Sequence, residues 1–293
     1  MQPSHPESPE RLISIRQRLV ETNVYNHLEC IEATKVTKEQ LQRVHSINYI
    51  DWITEKSPIT GLHYLDPDTA MNNYSFDAAL YAAGAVVNAV DLIMQGKVKN
   101  AFCSIRPPGH HAGKNNAAGF CIFNNVAVGV AHALTTYDIR RAAILDFDVH
   151  HGNGTEDIFR NDTHVMLCSS FRHPYYPYAG ADSSNAYIIN TPLPARSDGS
   201  AFRQVVNNSW LPALEKFKPE FIFISAGFDA HKDDDMGGLN LDDDDYRWIT
   251  FFAKDMAARF SSNRIVSSLE GGYDLSSLGH CAAIHIQSLS EQD

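Results

Sequence analysis

Four short apolar runs in this sequence end in the same way, each passing directly into glycine and ionisable residues. Ala142 to Leu145 runs into Asp146, Asp148, His150 and His151; Ala101 to Ile105 into Arg106, Pro107, Pro108, Gly109, His110 and His111. Phe221 to Ser225 runs into Gly227, Asp229 and His231, and Arg264 to Ser267 into Glu270, Gly271, Gly272 and Tyr273. Short apolar runs bounded by such residues read as buried strands. Strands that each deliver polar groups past their C-terminal ends predict a parallel α/β sheet with a ligand at that edge.

Helix signals alternate with the strands, as βαβ units require. Ser8 and Pro9 start a helix to about Val20, and Thr37 with Gln40 forms a capping box for the next. Ser75 is expected to cap an Ala-rich helix over 76–94, and further helices fit 124–135, 200–216, 242–260 and 275–289. Strands fit 101–105, 142–147, 164–168, 221–225 and 264–268. Residues 169–199 show neither periodicity and read as a long loop, which in a compact domain is more often functional than idle. No linker composition divides the 293 residues, so they read as a single domain, 1–293.

The net charge of −11 argues against a nucleic-acid-binding surface and favours cationic or neutral substrates. Cys30, Cys103, Cys121, Cys168 and Cys281 include no CxxC pair and read as thiols of a reducing compartment. No window reads as a membrane span and Met1 to Pro6 carry no hydrophobic leader, so the expected location is the cytoplasm, with no membrane partner.

Side chains alternate along an extended chain, so Asp146, Asp148 and His150 are expected on one side. Two carboxylates and an imidazole at the end of a buried strand are costly to desolvate unless a cation or hydrogen-bond network holds them. A metal site is the economical reading. Taken singly, these residues have blander roles: Asp146 suits a strand-end turn, and Tyr273 beside paired glycines packs a turn. His231 is a partner for the Asp229 region in the sharper reading and an ordinary histidine in the blander one. Asp242 to Asp245 read as a helix cap, or as a cation-attracting rim.

Together the motifs are specific. Arg106 to Ala112 (RPPGHHA), Gly119 to Asn125 (GFCIFNN), Asp146 to Gly154 (DFDVHHGNG), Ser225 to Ala230 (SAGFDA) and Leu269 to Tyr273 (LEGGY) occur in one order. The chain resembles the metal-dependent histone deacetylase superfamily, which includes acetylpolyamine amidohydrolases, over nearly its whole length from His5. Asn153 and Glu270 resemble the class II and bacterial branch. The resemblance implies an arginase-like α/β fold with a mainly parallel central sheet and helices on both faces. It also implies hydrolysis of a small-molecule or peptide N-acyl amine.

Carried over residue by residue, the resemblance makes Asp148, His150 and Asp229 ligands of Zn2+, with Fe2+ or Co2+ also compatible with the donors. It makes His111 the general base and then acid, His110 its electrostatic partner, Asp146 and Asn153 their orienters, and Tyr273 the oxyanion donor. It implies structural K+ held by Asp146, Asp148, His150, Ser169 and Ser170, and a second K+ at the carbonyls of Phe159, Asp162, Val165 and Tyr187. Gly119, Phe120, Tyr176, Met236 and Gly271 would line the substrate channel, and Arg11 would sit at its acetate end.

Three departures accompany it. Tyr176 stands where the family usually has Phe, and Pro177-Tyr-Ala-Gly180 replaces Pro-Gly-Thr-Gly, so the channel rim is expected to differ. The family's first strand lies upstream of the position of His5 and is expected to be missing from the sheet edge. Polyamine-selective relatives carry Glu at the position of Met236, so an acyl-lysine preference is expected here. The competing readings are an acetylpolyamine amidohydrolase, a non-catalytic acyl-binding relative and an arginase-like dimanganese hydrolase. A homo-oligomer is compatible with all of them.

Overall fold

Strands β3 (Asn100–Cys103), β4 (Ala142–Asp146), β5 (Val165–Arg172), β6 (Ile188–Leu193), β7 (Phe221–Ala226) and β8 (Ile265–Leu269) form one sheet, ordered β3-β8-β7-β4-β5-β6, with every pair parallel. The computed structural model describes residues 5–291; residues 1–4, read above as lacking a leader, lie outside them. Every residue of β4, β7 and β8 is buried, which explains their unbroken apolar runs: helices cover both faces. Ile144, Leu167, Phe223 and Val266 point into one core with α4 (Ser75–Met94) and α5 (Asn125–Thr136). Leu145, Ile222, Ile224 and Leu269 point into the other, against α9 (Asp243–Phe260), α10 (Leu275–Ser290) and α1 (Glu10–Glu21).

Among the described residues five shorter helices complete the fold: α2 (Lys38–Leu41), α3 (Ile47–Lys56), α6 (Asn153–Phe159), and α7 (Gly199–Val205) with α8 (Leu211–Phe217), which form a split rod. The capping box expected at Thr37/Gln40 is present, and the cap expected in the 242–245 run takes the form of a capping box between Asp242 and Asp245. A short antiparallel pair, β1 (His63–Tyr64) with β2 (Ala70–Met71), lies outside the main sheet.

Several expectations are corrected. The segment 169–199 is not one loop: β5 continues to Arg172, and Ile188–Leu193 forms the edge strand β6. Its Asn190, Thr191 and Pro192 hide the strand signal, and a proline that cannot donate to a ladder is tolerated at an edge. The helix expected over 200–216 widens at Val206–Trp210 into π geometry just before Pro212, which lacks the N–H for a regular turn. Ser75 is the first residue of α4, not its cap, and its hydroxyl accepts from Asn72 N. That helix is also long and apolar enough to cross a bilayer, with a mean hydropathy of 1.5, contrary to the sequence reading; it packs instead on α5 and the sheet, half buried.

Candidate metal centre and active site

β4 ends at Asp146, so the alternation expected to carry on to His150 does not. The chain bends instead: Asp148 N donates to Asp146 Oδ1 at 3.2 Å and His150 N to Asp148 Oδ1 at 2.9 Å. These aspartate turns separate the carboxylates into two tasks. Asp146 turns to the histidine loop, its Oδ2 lying 3.0 Å from His110 Nδ1. Asp148 turns to Asp229, delivered by the end of β7, and to His150.

Asp148, His150 and Asp229 are buried, with one ligating atom of each within 4.8 Å of the others. His150 Nδ1 lies 3.1 Å from Asp148 Oδ1 and 3.3 Å from Asp229 Oδ2, and Asp229 Oδ2 has no hydrogen-bond partner. A buried carboxylate oxygen without a donor is costly; a divalent cation removes that cost. Glycines keep the space open: a Cβ on Gly271 would sit 1.9 Å from Asp229 Oδ2 and 2.7 Å from Asp148 Oδ2. Gly271 therefore belongs to the wall of this cluster, and its N–H donates to Asp148 Oδ2 at 2.8 Å. The donors and the cradle fit a divalent metal.

Burial penalises all these charges, and their neighbours decide which survive. Burial raises Asp229, and Asp148 adds to it, to about 6, whereas His110 and His150 overcome burial at Asp148 and hold it well below the usual range. Burial lowers His150, but the adjacent carboxylates of Asp148 and Asp229 outweigh it, raising it to about 9. The tandem histidines, with ring centres 4.0 Å apart, split in opposite directions. His110 is desolvated, yet Asp148 and Asp146 raise it to about 10; His111 falls well below its ordinary value through burial, His110 and His150. The two rings are thus pushed apart, His110 toward its charged form and His111 toward its neutral one. His111 Nδ1 is 2.7 Å from Asn153 Oδ1, an acceptor that fixes the proton on Nδ1 and leaves Nε2 basic.

Tyr273 follows β8 after Gly272, at φ +123°, and burial raises its hydroxyl well above the ordinary value. Arg11 reaches in from α1, donating to Gly272 O at 2.7 Å and to Glu270 O at 2.5 Å, with its guanidinium 5.0 Å from the Tyr273 ring centre. Phe120 packs edge-on to Tyr273 at 5.9 Å and Tyr176 edge-on to His111 at 5.2 Å, so both aromatic residues expected in the channel meet the catalytic candidates. Gly119, at φ +53°, passes so close to His111 that a Cβ would come within 2.3 Å of its Cδ2. Met236 is half-buried beside this site, its carbonyl accepting from Tyr175 OH at 3.1 Å.

Ser169 pairs in register with Asp146, and its buried Oγ has no partner; Ser170 beside it is also buried. Of the carbonyls expected around a second monovalent ion, Phe159 O accepts from Asp162 N at 2.9 Å and Tyr187 O from Leu167 N at 2.8 Å. Val165 opens β5.

Residues 5–289 match the histone deacetylase domain. The chain belongs to the histone deacetylase family. It is 40% identical to a type-2 histone deacetylase of Dictyostelium discoideum over 76% of this chain, which spans only 14% of that relative. It is 33% identical to a histone deacetylase-like amidohydrolase of Pseudomonas aeruginosa, covering 98% of this chain and 77% of the relative. The crystal structure of the HDA15 HD domain superposes with a TM-score of 0.92 at 35% identity, covering 99% of this chain and 83% of that one.

Three features of this deacetylase domain escaped the sequence reading. Asp234, in an aspartate run from which any member could turn inward, is the one that does: it is buried and accepts from Tyr273 N, Asp274 N and Met236 N, partners that the sequence does not reveal. Glu270 accepts from Gly109 N at 2.6 Å and His110 N at 3.1 Å, holding the histidine loop from below; burial pushes its carboxyl up to about 7. His231 does not reach the Asp148 cluster and instead meets Asp243 and Cys281. No spacing in the sequence links those three residues.

Proposed function

We propose that this chain is a zinc-dependent deacylase that removes an acetyl or other small acyl group from lysine-like N-acyl amines. The observation that carries it is the tandem pair, His110 paired with Asp146 and His111 with Asn153, set beside the cluster of Asp148, His150 and Asp229. Asp148, His150 and Asp229 would hold the cation, leaving positions for water and substrate as a catalytic site needs. When bound, it lowers the pKa of water to about 7 and polarises the amide carbonyl.

The remaining chemistry belongs to the side chains. His111 Nε2 takes a proton from the attacking water and gives it to the amine nitrogen as the C–N bond breaks, yielding carboxylate and free amine. His110 stays charged and favours the negative charge that develops on the carbonyl oxygen. Tyr273 donates its hydroxyl to that oxygen. Phe120, Tyr176 and Gly119 flank the path of the aliphatic stem, and Met236 supplies a flexible apolar contact at its mouth. Asp146, Asp148, His150, Ser169 and Ser170 are assigned a structural K+, for which the unpartnered Ser169 Oγ speaks. The carbonyls of Phe159, Asp162, Val165 and Tyr187 are assigned a second. Asn153 and Glu270 favour the class II-like bacterial branch, and the cytoplasm is the assigned location.

The test is a deacylation screen of metal-loaded protein on acetyl-lysine peptides, longer acyl-lysines and acetylpolyamines. Turnover highest on acyl-lysine supports this reading; a tenfold preference for acetylpolyamine selects that amidohydrolase activity instead, and no turnover on any of them rejects both.

A further inference from the structure

We propose that His231, Asp243 and Cys281 form a second divalent-cation site, separate from the Asp148 cluster and suited to Zn2+. One ligating atom of each lies within 4.8 Å of the others, and His231 and Cys281 are buried. Cys281 Sγ is 3.3 Å from Asp243 Oδ1, and His231 Nε2 is 3.7 Å from the same oxygen. With ligand bonds of about 2.0–2.3 Å, tetrahedral zinc sets sulfur–oxygen and nitrogen–oxygen separations of roughly 3.4–3.6 Å. The observed 3.3 and 3.7 Å lie within a few tenths of an ångström of that spacing, so small side-chain adjustments reach it.

The three residues come from the loop after β7, the first turn of α9 and the middle of α10, so they are brought together by tertiary packing alone. A protonated thiol against a carboxylate is a weak pair: burial, then Asp243, raises the Cys281 thiol. A dication reverses that balance, releasing the thiol proton to solvent. Ligation at His231 Nε2 also requires its proton to move to Nδ1. Nδ1 accepts from Asp233 N at 3.2 Å and has Asp233 Oδ2 at 3.6 Å, so a small turn of Asp233 exchanges the donor N–H for an acceptor carboxylate, to which a protonated Nδ1 donates as in typical ligating histidines. Tyr246 stacks on His231 at 6.4 Å, and its buried hydroxyl has no hydrogen-bond partner. A cation here would tie the 231–237 loop, which carries Asp234 and Met236, to α9 and α10.

Cobalt substitution tests this, because the Asp148 cluster contains no sulfur. Titrating the full chain with Co2+ should produce a thiolate-to-cobalt charge-transfer band that saturates at one equivalent and persists in Asp229→Ala, whatever becomes of activity. The band should vanish in Cys281→Ala, and Asp243→Asn, a half-exposed change that spares the core, should weaken the Kd for that band at least tenfold. Absence of the band from the parent, its survival in Cys281→Ala through another thiol such as Cys30, or an unchanged Kd in Asp243→Asn would overturn the proposal. Should Cys281→Ala fail to fold, Asp243→Asn decides.

Discussion

One carboxylate oxygen of Asp234 accepts the backbone N–H of Tyr273 at 2.6 Å, while its other oxygen accepts that of Met236 at 2.9 Å. The candidate oxyanion donor and Met236, proposed for the channel mouth, are therefore fastened to one buried side chain. Asp234→Asn turns an acceptor into a donor against these N–H groups. Charge-assisted hydrogen bonds contribute about 1.5–3 kcal/mol, so kcat is expected to fall roughly ten- to a hundredfold. Metal content by elemental analysis should stay at the parental value. An unchanged kcat would show that the fastening has no bearing on Tyr273.

Tyr273→Phe removes only the hydroxyl. The expected loss is about 10²–10³ in kcat, as for other oxyanion donors, with unchanged metal content and circular dichroism. Steady-state kinetics on an acetyl-lysine peptide reads this directly, and parental turnover would remove Tyr273 from the mechanism.

Met236→Glu places a carboxylate where the structure has a thioether. Paired with a distal ammonium, it is expected to move kcat/KM toward N8-acetylspermidine over an acetyl-lysine peptide by about tenfold, roughly 1.4 kcal/mol. A ratio that does not move would place the specificity determinant elsewhere on the rim.

His45 and His285 make the fold sensitive to acid. Burial lowers His45 to about 4, and His285 to about 3, from an ordinary value near 6.5. Both are held neutral, His45 between Gly113 O and Asn124 N and His285 between Thr250 and Ser267 hydroxyls. The unfolded chain takes up protons below about 6.5 and the folded one does not. Their stabilisation is thus full above pH 6.5 and is lost as pH falls toward 4 and 3. Between pH 6.5 and 5 each group contributes a loss of roughly 2 kcal/mol. Urea unfolding at pH 7 and pH 5 measures the slope, which should flatten by about that amount in His45→Asn; an identical slope would contradict the assignment.

Much of this was legible in the sequence because short-range chemistry wrote it there. The strand cores, the Thr37 and Asp242 capping boxes and the DFDVHHGNG segment announce themselves within a few residues. The pairing of His110 with Asp146 and of His111 with Asn153 followed from the resemblance, and the geometry agrees. The edge strand β6 stayed hidden because an exposed edge needs no apolar run. Asp234, Glu270 and the His231, Asp243, Cys281 cluster stayed hidden because their partners are 39, 161 and up to 50 residues away in sequence, contacts that only the packed sheet and helices create.

The account stands most directly on one assay: acetate release from an acetyl-lysine peptide by the parent chain and by Asp229→Ala, each stripped of metal by chelation and then given Zn2+. The parent should lose activity on stripping and regain it on reloading, while Asp229→Ala stays inactive throughout. Undiminished activity in the stripped parent, or full activity in Asp229→Ala, would contradict a metal-dependent deacylase built on Asp148, His150 and Asp229.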